Sequence, residues 1–304
     1  VEAETGRGLM FRSYFSRIVI ASSLVVTGLG VVPAQASDAG NPEAQRIVSV
    51  GGTITEILYA LGAQDRIVAV DSTSFYPADA TSKPDVGYMR ALSAEGILAQ
   101  KPDLILAEEG SGPPPVLDIL RASAVPMVTV PTPATADGIL QKIRDVGSAV
   151  GLAKESAELA EKTGEDLKAV MDEIAAFDGT KKRVLFVLSL SNGRIMASGS
   201  GTEAAAIIEM AGGINAAPEI SGYKPLSDEA VIAAKPDVIV AMERGDHRLT
   251  PEQVFAVPAL QTSPAAANQA LISMDGLFLL GFGPRTPEAV RALASQLYSG
   301  AFGG

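Results

Sequence analysis

A long internal repeat limits what this chain can fold into more than any other feature. AEGILAQKPDLILAEEG (Ala94–Gly110) lines up with DEAVIAAKPDVIVAMERG (Asp228–Gly245). Lys101-Pro102-Asp103 and Lys235-Pro236-Asp237 are offset by the same 134 residues. Just upstream, Gly87-Tyr88-Met89-Arg90-Ala91-Leu92-Ser93 matches Gly222-Tyr223-Lys224-Pro225-Leu226-Ser227, one residue shorter. A short Lys-Pro-Asp recurs by chance; a helix, a strand and a Gly-Tyr in step with it do not. A single repeat is too few for a solenoid, so the two halves share one fold.

That fold is legible in the apolar runs. Ile47–Val50, Ile67–Val70, Leu104–Ala107 and Met127–Val130 read as buried strands, with helical segments between them. Thr53-x-x-Glu56 reads as a capping box opening a helix that runs to Leu61 and ends at Gly62. Ser93 opens a short helix that stops before Lys101-Pro102. Apolar strands alternating with helices predict parallel sheets covered on both faces. Residues 152–177 are charged, Ala-rich and free of proline, with apolar positions at helical spacing, which predicts one long helix. Val184–Leu188 then starts the second half. The expectation is an α/β protein: two Rossmann-like lobes, 46–148 and 179–304, joined by one helix over 149–178, with a ligand cleft between them. Such clefts form at domain interfaces and at the carboxyl ends of parallel strands. One helix resists bending, so modest opening is expected. Gly281-Phe282-Gly283-Pro284-Arg285 reads as the turn before a helix capped by Thr286.

Composition removes whole classes of chemistry. The net charge is −11, with no basic stripe, which argues against nucleic acid as a partner. There is no Cys, hence no disulfide, thiolate nucleophile or iron–sulfur cluster. A single His, His247, cannot build a site of two or three histidines. No G-x-S-x-G nucleophile elbow occurs, so a hydrolase on this scaffold is disfavoured and no enzyme is expected. Arg12 and Arg17, the apolar run Ile18–Val32 and Pro33-Ala34-Gln35-Ala36 form a cleavable export signal over 1–36, with an upstream extension before Met10. Residues 37–45 read as a linker. Without a cysteine to carry lipid, the chain is expected in the periplasm, not anchored to a membrane.

RIVSVGGTITEILYALG, DSTSFYP and DVGYMRALSAEGILAQKPDLIL, all between Arg46 and Leu106, resemble the helical-backbone class of periplasmic binding proteins. That class serves cobalamin, ferric-siderophore and haem ABC importers. GYMRALSAEGIL is most similar to the haemin-binding subgroup, as are LSDEAVIAAKPDVIV and LLGFGPRTPEA further on. The resemblance implies a protein that captures ferric haem b and delivers it to a permease dimer with its ATPase. A ferric siderophore or cobalamin is the alternative cargo.

The resemblance also implies that Tyr88 is the axial iron ligand. A phenolate is a hard anionic oxygen donor suited to Fe(III). Arg90, two residues on, would lie on the same side of an extended segment and stabilise the phenolate or pair with a propionate. Tyr223, the pseudo-symmetric counterpart, would touch the porphyrin, add a second ligand, or simply pack. Lys224 beside it, and Arg244 and Arg248 around His247, are propionate candidates. Relatives that stack two haems carry a histidine where this chain reads Ser189-Leu190-Ser191-Asn192, which speaks against a stacked pair. Glu95 and Glu229 hold equivalent positions in the repeat, and the resemblance implies that they dock on permease arginines.

Overall fold

The computed structural model describes residues 40–191, 193–245, 248–299 and 301–302. The export signal over 1–36 and His247 lie outside the described residues. No helix among the described residues is long and apolar enough to cross a membrane.

The first lobe runs β1 (Ile47–Val50), α1 (Gly52–Ala60), β2 (Ile67–Val70), α2 (Ala94–Leu98), β3 (Leu104–Glu108), α3 (Pro114–Arg121), β4 (Met127–Val130) and α4 (Ala136–Ala149). Its strands form a wholly parallel sheet in the order β2-β1-β3-β4. A single long helix, α5 (Ala153–Ala175), packs against α4 and leads into the second lobe. That lobe comprises β5 (Arg183–Ser191), β6 (Arg194–Ser198), α6 (Glu203–Met210), β7 (Ile214–Asn215), β8 (Tyr223–Pro225), α7 (Asp228–Ala234), β9 (Val238–Glu243), α8 (Pro251–Phe255), α9 (Pro264–Ala267), β10 (Leu271–Asp275), α10 (Gly276–Leu280) and α11 (Thr286–Leu297).

The central strands of both sheets are buried on both faces, and neighbouring residues show it. Ile47, Leu104, Val184 and Val240 share one core cluster with α5 residues such as Leu167. Their chain neighbours Val48 and Ile105 pack beneath α2 and α3, and Leu185 and Ile239 pack beneath α7 and α8. Alternate side chains of a strand point to opposite faces, so two-sided burial explains the uninterrupted apolar runs.

The repeat is structural as well as sequential. Lys101 and Lys235 both take left-handed backbone, at φ 50° and 42°, the first just after α2 and the second at the C-cap of α7. The aspartates that follow then secure the next strands. Asp103 Oδ1 accepts from Arg46 N at 2.8 Å, and Asp237 Oδ2 accepts from Arg183 N at 2.8 Å.

The halves nevertheless differ. The second sheet is mixed: β6 returns antiparallel along β5 and β8 follows antiparallel on β6. Gly193, at φ 73°, lets the chain reverse there. The expectation of parallel sheets therefore holds for the first lobe and for β5, β7, β9 and β10 only. The described part of the expected linker is tied down, with Ala44 fully buried and Asn41 N donating to Ala149 O.

A second correction explains what aligns the lobes. Thr53 and Glu56 form no capping box: Gly51 is the N-cap of α1, without a side-chain cap. Thr53 Oγ1 instead donates to Gly281 O at 2.8 Å, across the lobes. Glu56, 6% exposed, receives both Arg285 Nε at 2.9 Å and Arg285 Nη2 at 2.7 Å. Arg285 also stacks 3.5 Å above the Tyr76 ring. The Gly281–Arg285 turn is thus an interlobe clamp. Arg285 stands at the N-cap, and Thr286 lies just inside α11, donating to Gly283 O.

Candidate functional site

A cavity of about 380 Å3 lies between the lobes, within the roughly 300–1,000 Å3 typical of small-molecule sites. The carboxyl ends of β3 and β9 supply Glu108 and Met242–Arg244 to its wall. Apolar sides come from Met89, Leu188, Leu277 and Leu280.

Tyr88 sits on a loop that the surrounding backbone holds firmly. Gly87, at φ 92°, takes a conformation that a side chain would strain, and its carbonyl accepts from Ser72 N at 3.0 Å. Met89 is buried, and its carbonyl accepts from Gly112 N at 2.9 Å. The loop is therefore anchored on both sides of a tyrosine that stays 36% exposed and lines the cavity.

The cation placed on Tyr88 comes from the opposite lobe. Arg244 Cζ lies 5.0 Å from the centroid of the Tyr88 ring. Arg90 also lines the cavity, but its segment is not extended: Ala91 N donates to Tyr88 O at 2.7 Å, so the chain turns at Met89–Arg90. The extended segment assumed for Arg90 is therefore not present, although Tyr88 and Arg90 line the same cavity. Arg248 pairs with Glu243 at 3.0 Å.

Tyr223 lines the same cavity from β8 but is held quite differently. Its ring meets Phe186 edge-on at 6.3 Å, and its hydroxyl donates to Glu203 Oε2 at 3.3 Å. Burial and the Glu203 carboxylate push the Tyr223 phenol well above its ordinary range. Its hydroxyl is thus already committed within the second lobe. Strand alternation turns the next residue, Lys224, outward: it is exposed and is not part of the cavity wall.

The floor holds groups that sequence reasoning missed. Lys142 on α4 is 2% exposed and donates to Gly281 O at 3.1 Å. Burial lowers its pKa, against the pull of Glu108, Glu203 and Glu56. Glu108 closes β3, packed where a Cβ on Gly51 would collide with its side chain at 2.4 Å. Burial raises the Glu108 pKa, only partly offset by Lys142. An isolated lysine inside a helix carries no sequence signal for a cavity floor. Outside the cavity, Glu95 on α2 and Glu229 on α7 are both exposed. Backbone and Ser227 hydroxyl contacts at the start of α7 lower the pKa of Glu229.

Comparison with known proteins agrees with this architecture. A solved periplasmic heme-binding protein from Roseiflexus sp. RS-1, in apo form, is 37% identical, with a TM-score of 0.80 over 85% of this chain and 99% of its own. The periplasmic heme-binding protein HutB of Vibrio cholerae is 32% identical, with a TM-score of 0.75 over 84% of this chain and 99% of its own. The vitamin B12-binding protein of Yersinia pestis (strain Pestoides F) is 29% identical over 280 residues, 92% of this chain and 93% of its own. The family model described as periplasmic binding protein matches residues 47–276. With its two α/β lobes, single connecting helix and cleft, the chain belongs to the periplasmic binding protein family.

Proposed function

We propose that this protein captures ferric haem in the periplasm and delivers it to the permease of an ABC importer, making and breaking no covalent bond of the ligand. One observation carries the reading: Tyr88 stands exposed on a rigid loop at the interlobe cavity, with Arg244 set over its ring. A phenol in that position supplies the hard anionic oxygen that Fe(III) takes as an axial ligand. An ordinary phenol ionises near pH 10, so the iron drives the proton off, and the guanidinium balances the resulting charge. Apolar walls from Leu188, Leu277 and Leu280 suit the porphyrin faces, while Arg90 and Arg244 suit its carboxylates. Tyr223 contributes an edge contact rather than a bond to the metal.

Glu95 and Glu229 form the docking pair in this reading. Each stands exposed in the first turn of a short helix, one helix per lobe, and meets a basic patch on one half of the permease dimer with its ATPase. In this reading the segment over 1–36 acts as the export signal that brings the carrier to the periplasm.

Titrating purified apo-protein with hemin tests the cargo. The expected result is a high-spin spectrum with phenolate-to-iron charge transfer, lost in Tyr88→Ala. The similarity to a vitamin B12-binding protein makes cobalamin the second reading; cobalamin binding without a response to hemin would establish it. Charge reversal at both Glu95 and Glu229 should abolish uptake while leaving hemin binding intact.

A further inference from the structure

The floor of the cavity contains polar capacity that the fold itself does not use. Glu108 Oε1 is shut off from solvent and has no hydrogen-bond partner among the described residues. Thr53, beside it, already donates its single hydroxyl proton to Gly281 O. The Lys142 ammonium has three N–H donors, and one acceptor for it is found among the described residues, Gly281 O at 3.1 Å. Both side chains belong to the cavity wall. An orphaned buried carboxyl oxygen costs free energy unless something completes it, and so do unmatched ammonium donors. The neighbouring carboxylates leave the demand open. Glu203 is engaged by the Tyr223 hydroxyl, Glu56 by Arg285, and Asp71 by the amides of Gly51 and Thr73.

One group complements both partners at once. A ligand carboxylate accepts from the Lys142 ammonium and shares a proton with the Glu108 carboxyl. Burial holds Glu108 toward its protonated form, which suits that arrangement. A neutral ester can accept one hydrogen bond there but brings no charge for the ammonium.

We propose that Lys142 and Glu108 form a deep carboxylate subsite at the cleft floor, which receives one propionate of the bound porphyrin and sets it edge-inward. The proposal rests on the haem reading above, and extends it from the iron ligand to the orientation of the macrocycle. The second propionate is then left to Arg90 and Arg244 nearer the mouth.

The test compares hemin with its dimethyl ester, which keeps the iron and the ring but removes both carboxylates. Wild-type protein should bind hemin more tightly by about tenfold or more, the scale of a charge-assisted hydrogen bond. Lys142→Met and Glu108→Leu should each shrink that preference severalfold while keeping the phenolate-to-iron band. If Lys142→Met does not fold, Lys142→Gln and Glu108→Gln give the same ratio with smaller changes in shape. Equal binding of hemin and ester by wild type would overturn the subsite, as would variants that keep the full preference. Absence of the phenolate-to-iron band in wild type would instead overturn the haem reading, and the subsite with it.

Discussion

Tyr88 and Tyr223 occupy the same place in the repeat and stand in opposite surroundings. Each follows a glycine with positive φ, 92° at Gly87 and 74° at Gly222. Beyond that dipeptide their surroundings part. Tyr88 leads into a turn, and its ring stays exposed beneath Arg244. Tyr223 enters β8 and pairs with Ser198 of β6, a strand with no equivalent in the four-stranded first sheet. The added strand turns its ring onto Phe186 and its hydroxyl to Glu203. The difference teaches that a shared backbone fixes where a side chain stands. Its neighbours decide whether it is available to a ligand.

The comparison presupposes that the two tyrosines face one another across a fixed cleft. Arg285→Ala tests that frame and carries the largest expected effect. It leaves Glu56 buried without its partner, for a loss of about 3–5 kcal/mol in unfolding free energy, read by denaturant titration. Next is Tyr88→Phe, which keeps the ring and deletes the oxygen. Hemin affinity should fall by about 100-fold or more, beyond the cost of losing a second-shell partner, with loss of the charge-transfer band in absorption. Arg244→Met should weaken hemin binding by about fivefold, from loss of the cation over the ring, with the band retained. The smallest change belongs to Tyr223→Phe, which removes one half-buried hydrogen bond. It should cost about 1 kcal/mol of stability and leave the iron spectrum unchanged, which calorimetry and absorption would together check. A Tyr223→Phe protein that lost the band would break the contrast between the two residues.

Much of this frame was legible in the chain itself. Strand runs such as Ile47–Val50 and Leu104–Ala107 carry two-sided burial in their composition, and the proline-free stretch before Phe177 carries the connecting helix. Tyr88 was reachable because the repeat and the family resemblance both mark it. Other features were hidden for physical reasons. Thr53 and Glu56 satisfy a local capping pattern, yet partners more than 200 residues away claim both side chains. Arg90 reaches the same cavity as Tyr88 through a turn, not through the alternation of an extended segment. Arg244 was marked by its place after the β9 strand, but its position over the Tyr88 ring, like the arrival of Lys142 at the cavity, depends on the meeting of lobes, a relation that no spacing within one segment encodes.

The claim at the centre of this account is that a single phenolate, from the first lobe, bonds to the iron. Resonance Raman spectroscopy of hemin-loaded Tyr223→Phe protein tests it most directly. The account predicts an iron–phenolate vibration as strong as in the parent protein, because Tyr88 is untouched. Disappearance of that vibration in Tyr223→Phe, or its persistence in Tyr88→Phe, would contradict it.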